Sequence, residues 1–165
     1  MTTSWRRRSV VFALLALPSL GAGVPAAQAA DALAVVDAYM AAWNAHDPDK
    51  AAAFLAADVV YLDASIGTPQ QGRDAARDNV IKAFIDAAPD CRWERLGEAV
   101  VEGDRVAFEW RFSGTNTGAW ADGTAATGKP FAFQGATVIR LADGLIAHQA
   151  DYYDALGFYK QLGLM

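Results

Sequence analysis

Residues 131–153 read FAFQGATVIRLADGLIAHQADYY, and how this stretch pairs with itself decides the fold. Two runs rich in β-branched and aromatic residues flank Asp143–Gly144, a dipeptide suited to a tight hairpin turn. The pattern predicts two antiparallel strands. Upstream, the same period of two runs through RWERLGEAVVEG (92–103) and RVAFEWRFSGTNTG (105–118), with a second turn at Gly103–Asp104. Everything after Pro89 up to Tyr153 therefore reads as a four-strand antiparallel meander.

Before Pro89 the period is helical, with one interruption. DALAVVDAYMAAWNAHD (31–47) places Leu33, Val36, Met40 and Trp43 on one stripe, with Asp31 as a cap. DKAAAFLAAD (49–58) is expected to be a second, short helix, with Pro48 near its start. VVYLDAS (59–65) reads as a strand and IGTPQQG (66–72) as a loop. RDAARDNVIKAFIDAA (73–88) sets Val80, Ile81, Phe84, Ile85 and Ala88 on one helical stripe. ALGFYKQLGLM (155–165) closes the chain as a short amphipathic helix. Helices on one face of a curved, mostly antiparallel sheet make an α+β domain enclosing a cone, a shape that suits a small-molecule pocket.

Residues 1–29 are expected to be a secretory signal peptide and 30–165 a single domain. MTTSWRRRS is a basic leader, VVFALLALPSLGAGV an apolar run, and AQA at 27–29 offers small residues for cleavage before Ala30. The general secretory route is expected over twin-arginine export, because the residues after the arginines fit that motif poorly. Without the leader's three arginines the charge is 11 − 19 = −8. Nucleic acid and anionic membrane surfaces are poor partners for that balance. Cys91 is the lone cysteine, so no internal disulfide forms. His46 and His148 lack ligand spacing, and no metal or cofactor is expected.

This order of elements resembles the NTF2-like superfamily, the cone-shaped fold of ketosteroid isomerases and SnoaL-type polyketide cyclases. The resemblance rests on YMAAWNAHDPDKAAAFLAADVVYLD (39–63), GRDAARDNV (72–80), GTNTG (114–118), TGKPFAFQGATVIRLADGLI (127–146) and the closing LGFYKQLG (156–163). GTNTG, TGKP and QLG favour the SnoaL-like side. The fold hosts many functions, so the resemblance implies architecture more firmly than chemistry. A homodimer is expected at the level of the superfamily.

Four residues are candidates for chemistry. Tyr39 lies one turn before Trp43, where a phenol can point into the cone; its spacing in YMAAWNAHD resembles the isomerase tyrosine that polarises a substrate carbonyl. The plain alternative is a core tyrosine with a backbone partner. Asp63 ends an apolar strand on the face of Val59 and Tyr61. It is either a base made stronger by desolvation or the cap of the loop that follows. The isomerase pattern also calls for an acid three residues before an arginine, and counting back from Arg140 lands on Thr137. That departure argues against steroid isomerisation.

Asp151 is the expected replacement. If Thr137 faces the cone, a turn centred near Ala142–Asp143 puts Gln149, Asp151 and Tyr153 on the same face, with Asp154 pointing away. SnoaL-type cyclases resemble this arrangement, with an aspartate of the final strand as acid–base group. Asp154 is the second choice for that role, or else the N-cap of the last helix. Trp43, Phe54, Tyr61, Phe84, Trp93, Trp110, Trp120 and Phe133 are expected either to wall a pocket for a small apolar molecule or to build the core.

The resulting expectation is a cofactor-independent isomerase, cyclase or dehydratase acting on an apolar carbonyl compound. A non-catalytic ligand-binding or assembly module of the same fold is the alternative. Hydrolysis of an epoxide or ester through Asp63 and Asp151 is the third option.

Overall fold

A computed structural model describes residues 26–165. Most of the expected leader, up to residue 25, lies outside the described residues.

The first helix, α1 (Ala26–Asn44), buries Val36, Tyr39, Met40 and Trp43 along one stripe. A short α2 (Pro48–Ala52) follows, started by Asp47, whose carboxylate accepts from Lys50 N at 2.9 Å. The expected helix to Asp58 stops at Ala52. Instead β1 spans Leu55–Asp63. Alanine favours helix, but the Phe54 carbonyl accepts from Ile146 N (2.8 Å), that of Leu55 accepts from Arg73 Nε (2.8 Å), and Leu55 is fully buried. Tertiary pairing outweighs the few tenths of a kcal/mol per residue that propensity offers.

Within the stretch expected to be a loop, β2 (Gln70–Gln71) adds a two-residue edge strand to β1. The third helical region is α3 (Arg73–Ala76), a π-helical segment (Arg77–Lys82) and α4 (Ala83–Ala87). The wide turn keeps Val80 and Ile81 buried just before Phe84, which is half-buried.

The meander is β3 (Arg92–Glu102), β4 (Arg105–Thr115), β5 (Pro130–Ala142) and β6 (Leu145–Tyr153), and α5 (Ala155–Leu162) ends the fold. Strand order is β2-β1-β6-β5-β4-β3, antiparallel throughout except that β1 runs parallel to β6. The α+β cone is therefore as expected, with helices over the concave face of one curved, unclosed sheet. Among the described residues no helix is long and apolar enough to cross a membrane.

The decisive hairpin turns at Asp143–Gly144, both at positive φ (51° and 76°), and pairs Ala142 with Leu145. Continued without a break, that register would set Thr137 against Ala150. A bulge on β6 intervenes: Leu141 pairs with Ile146 but Arg140 with His148, leaving Ala147 unpaired. The extra residue brings Asp151 opposite Thr137 and turns Gln149 and Asp151 toward the cone.

Candidate functional site

Asp63 and Asp151 are neighbours on the parallel pair β1–β6 and are 3% and 7% exposed. No salt bridge reaches either carboxylate among the described residues. Each depends on hydrogen bonds instead, and the two sets differ.

Asp151 is held by neutral donors only. Thr137 Oγ1 donates to Oδ1 at 2.6 Å and Tyr61 Oη to Oδ2 at 2.7 Å, while Gln149 Nε2 lies 3.1 and 3.0 Å from the two oxygens. Behind Thr137, Trp110 Nε1 donates to its hydroxyl at 2.7 Å, which fixes the direction of the Thr137 proton. Loss of hydration outweighs these donors and pushes the Asp151 carboxyl from 3.8 up to about 6; the charge on Asp63 adds a smaller push the same way. Such a group is ionised at neutral pH yet basic enough to take a proton. The Tyr61 phenol is raised, first by burial and then by the charge on Asp151, so it stays a donor.

Asp63 caps the loop that follows it and also lines the cavity. Its Oδ1 accepts from Ser65 N (2.8 Å) and Ser65 Oγ (2.6 Å), and Tyr153 Oη lies 3.1 Å from both of its oxygens. Ser65 Oγ and Tyr153 Oη are also in short contact. Burial, with the charge on Asp63, holds the Tyr153 phenol well above its ordinary range.

Two hollows meet at this point. An inner cavity of about 40 Å³ is lined by both carboxylates and by Trp43, Tyr61, Trp110 and Phe133. Trp93, Val80 and Phe112 also line it. Val80 and Phe112 were not among the expected pocket residues, although Phe112 alternates with Trp110 on β4 and Val80 shares the stripe of Phe84. An outer cleft of about 700 Å³ opens beyond it, bounded in part by Trp120, Phe158, Tyr159 and Ser65. Phe84 and Tyr153 line both hollows and form the partition.

Other expected residues sit elsewhere. Tyr39 is fully buried, does not line the inner cavity, and its hydroxyl has no hydrogen-bond partner. Its ring packs edge-on to Phe54 (6.3 Å) and Trp93 (5.8 Å); Phe54 lines neither hollow. Thr137 and Gln149 are fully buried behind Asp151 and position it, lining neither hollow. Asp154 is the N-cap of α5, accepting from Gly157 N at 2.9 Å. Ser65 escaped the sequence reading, although Asp-Ala-Ser at the end of a strand is a recognisable turn signal. Among the described residues no three His, Cys, Asp or Glu side chains gather in a metal-binding set.

The profile of the SnoaL-like polyketide cyclase family matches residues 33–162. Among curated proteins no match is found. Solved structures share the fold widely. TsrD from Streptomyces laurentii is 26% identical over 82% of this chain and 97% of its own, with a TM-score of 0.70. A protein with a ketosteroid isomerase-like fold from Catenulispora acidiphila, solved with trimethylamine, is 30% identical over 78% and 92%, TM-score 0.65. IdmH from Streptomyces antibioticus, named as a proposed polyketide cyclase, is 24% identical over 80% and 98%, TM-score 0.66.

Proposed function

This chain belongs to the SnoaL-like polyketide cyclase family, and on that premise we propose that it is a cofactor-independent acid–base catalyst acting on an apolar carbonyl compound. The observation that carries the reading is Asp151: a buried carboxylate at the wall of an aromatic cavity, held by Thr137, Tyr61 and Gln149 and titrating near 6. The Asp151 carboxylate takes a proton from the carbon next to the carbonyl, and the electron pair of that C–H bond moves onto the carbonyl oxygen. Tyr153 lines the cavity and stays protonated; its single proton turns from Asp63 to that oxygen as the substrate binds, while Ser65 Oγ continues to donate to Asp63. Tyr39, sealed away from the cavity, is not assigned this task. Asp151 then returns its proton to a different carbon of a conjugated enolate, which is isomerisation, or to the alkoxide formed when the enolate carbon attacks a second carbonyl, which is aldol cyclisation.

The test is deuterium uptake from D₂O at the α-carbon of simple methyl ketones, followed by proton NMR. Asp151→Asn is expected to lower the catalysed rate by roughly 10²–10⁴-fold. An unchanged rate removes Asp151 from the mechanism.

A second reading, a ligand-holding module without turnover, draws support from the small inner cavity, which admits no ring. It predicts tight ligand binding that Asp151→Asn leaves unaccompanied by any change in exchange rate. The proposal also includes export by a cleaved leader over residues 1–29, supported by its basic, apolar and small-residue pattern. It includes a homodimer through the outer sheet face, supported by exposed Val138 and Tyr152 there.

A further inference from the structure

Among the described residues four buried side-chain atoms lack a hydrogen-bond partner, and three of them fall in one place: Tyr39 Oη, Trp43 Nε1 and Gln149 Oε1. Buried polar groups are nearly always paired, so a group of exceptions calls for a common cause. Tyr39 and Trp43 stand one turn apart on α1, and both rings pack edge-on to Trp93, at 5.8 and 5.7 Å. Gln149 reaches the same spot from β6, beside its β1 partner Tyr61. None of these four side chains, Tyr39, Trp43, Tyr61 and Gln149, is more than 4% exposed. Burial raises the Tyr39 phenol, and Trp43, Tyr61 and Gln149 stand near enough to its hydroxyl to offset part of that rise.

Each proton in this group has few places to go. The single Tyr61 proton goes to Asp151 Oδ2, at 2.7 Å. The Gln149 amide nitrogen faces Tyr61 Oη and both Asp151 oxygens, at 2.9, 3.1 and 3.0 Å. All three are acceptors, so the amide cannot be turned over: an oxygen in that place would meet a carboxylate and a phenol whose proton is already engaged. Gln149 Oε1 is thereby committed to the other side, where it can only accept. The donors left over nearby are the Tyr39 hydroxyl and the Trp43 indole N–H, and an indole can only donate. A chain running one way, from indole to phenol to amide to carboxylate, gives each of the three atoms a partner.

We propose that Tyr39 is a positioning residue for Asp151: its hydroxyl accepts from Trp43 Nε1, donates to Gln149 Oε1, and so holds the Gln149 N–H groups against the Asp151 carboxylate. Tyr39 touches no ligand and acts wholly through Gln149. Donors to the ionised carboxyl favour that form, so an amide that has lost its anchor lets Asp151 hold its proton to higher pH. The consequence for rate rests on the acid–base reading of Asp151; the positioning itself does not.

Carbon-13 NMR of the aspartate carboxyls reads that titration without any substrate, with the Asp151 signal identified by its loss in Asp151→Asn. Wild type should titrate near 6. Tyr39→Phe, which keeps the ring and removes the hydroxyl, should raise the midpoint by about 0.5–1 pH unit. Gln149→Met, similar in length and without the amide, should raise it as well. In the double variant Tyr39→Phe should add nothing, because the residue it acts through is gone. Tyr39→Leu carries the same cycle if the phenylalanine variant does not fold. A midpoint unmoved in Tyr39→Phe overturns the proposal, and so does a rise that persists undiminished when Gln149 is already methionine. Should the midpoints move as stated while wild type exchanges no ketone faster than Asp151→Asn, the positioning stands and the acid–base reading alone fails.

Discussion

The buried Asp151 carboxyl should leave a measurable mark on folding as well as on rate. Its ordinary value of 3.8 is moved to about 6, chiefly by burial. Between those two values the folded chain retains a proton that the unfolded chain has released. Stability from this group is therefore complete below about pH 4, falls as pH rises, and levels off above about pH 7. A shift of about two units amounts to roughly 3 kcal/mol. Asp151→Asn removes the titration and keeps the shape. Urea unfolding of both proteins, followed by tryptophan fluorescence from about pH 4 to 7.5, isolates the effect as a difference. The variant should gain about 3 kcal/mol relative to wild type across that window, whatever the offset left by its altered hydrogen bonds. Wild-type kcat/KM should climb over the same range, because the base works ionised. A difference that stays flat across the window refutes the burial argument, and one that falls with pH reverses its sign.

Three further outcomes follow from the same geometry. Thr137→Val removes a 2.6 Å donor to the Asp151 carboxylate and leaves Trp110 Nε1 without its acceptor; it should cost about 1–3 kcal/mol in urea unfolding and move the rising limb of kcat/KM to higher pH. Gly135→Ala would set a Cβ 2.4 Å from Trp110 Cζ2 and 2.5 Å from the Tyr152 carbonyl oxygen. Its unfolding free energy should drop by about 1–3 kcal/mol or more, and near-ultraviolet circular dichroism should report a shifted Trp110. Asp154→Ala deletes the cap on α5 and should cost about 1 kcal/mol, with the pH profile of α-deuterium uptake unmoved.

The architecture was legible because it is written in periodicity. Alternation after Pro89, helical stripes before it, and two turn dipeptides suffice to order the elements. Boundaries failed where distant partners decide: nothing within DKAAAFLAAD announces that Leu55 will pair with Ile146. The site was legible in composition and not in register. Counting from the true turn at Asp143–Gly144 would aim Ala150 at Thr137, and only the bulge at Ala147 restores Asp151. Ala147 and His148 carry no local signal for that bulge. Tyr39 shows the converse limit, since helical spacing locates its face but cannot say that the packing of Trp93 and Phe54 closes over it.

The lone parallel pairing has a temporal consequence. Tyr61 and Asp151 lie ninety residues apart in sequence, so β1 leaves the ribosome long before the strand that will flank it. Until β6 arrives, an apolar strand carrying Leu55, Val59 and Tyr61 has only the two residues of β2 beside it. Such an open edge invites association with other chains, and closing a long loop is slow. Competence for the proposed chemistry and completion of the polypeptide therefore coincide: a nascent chain that has not yet added its last strand has one carboxylate, no Tyr153 and no base.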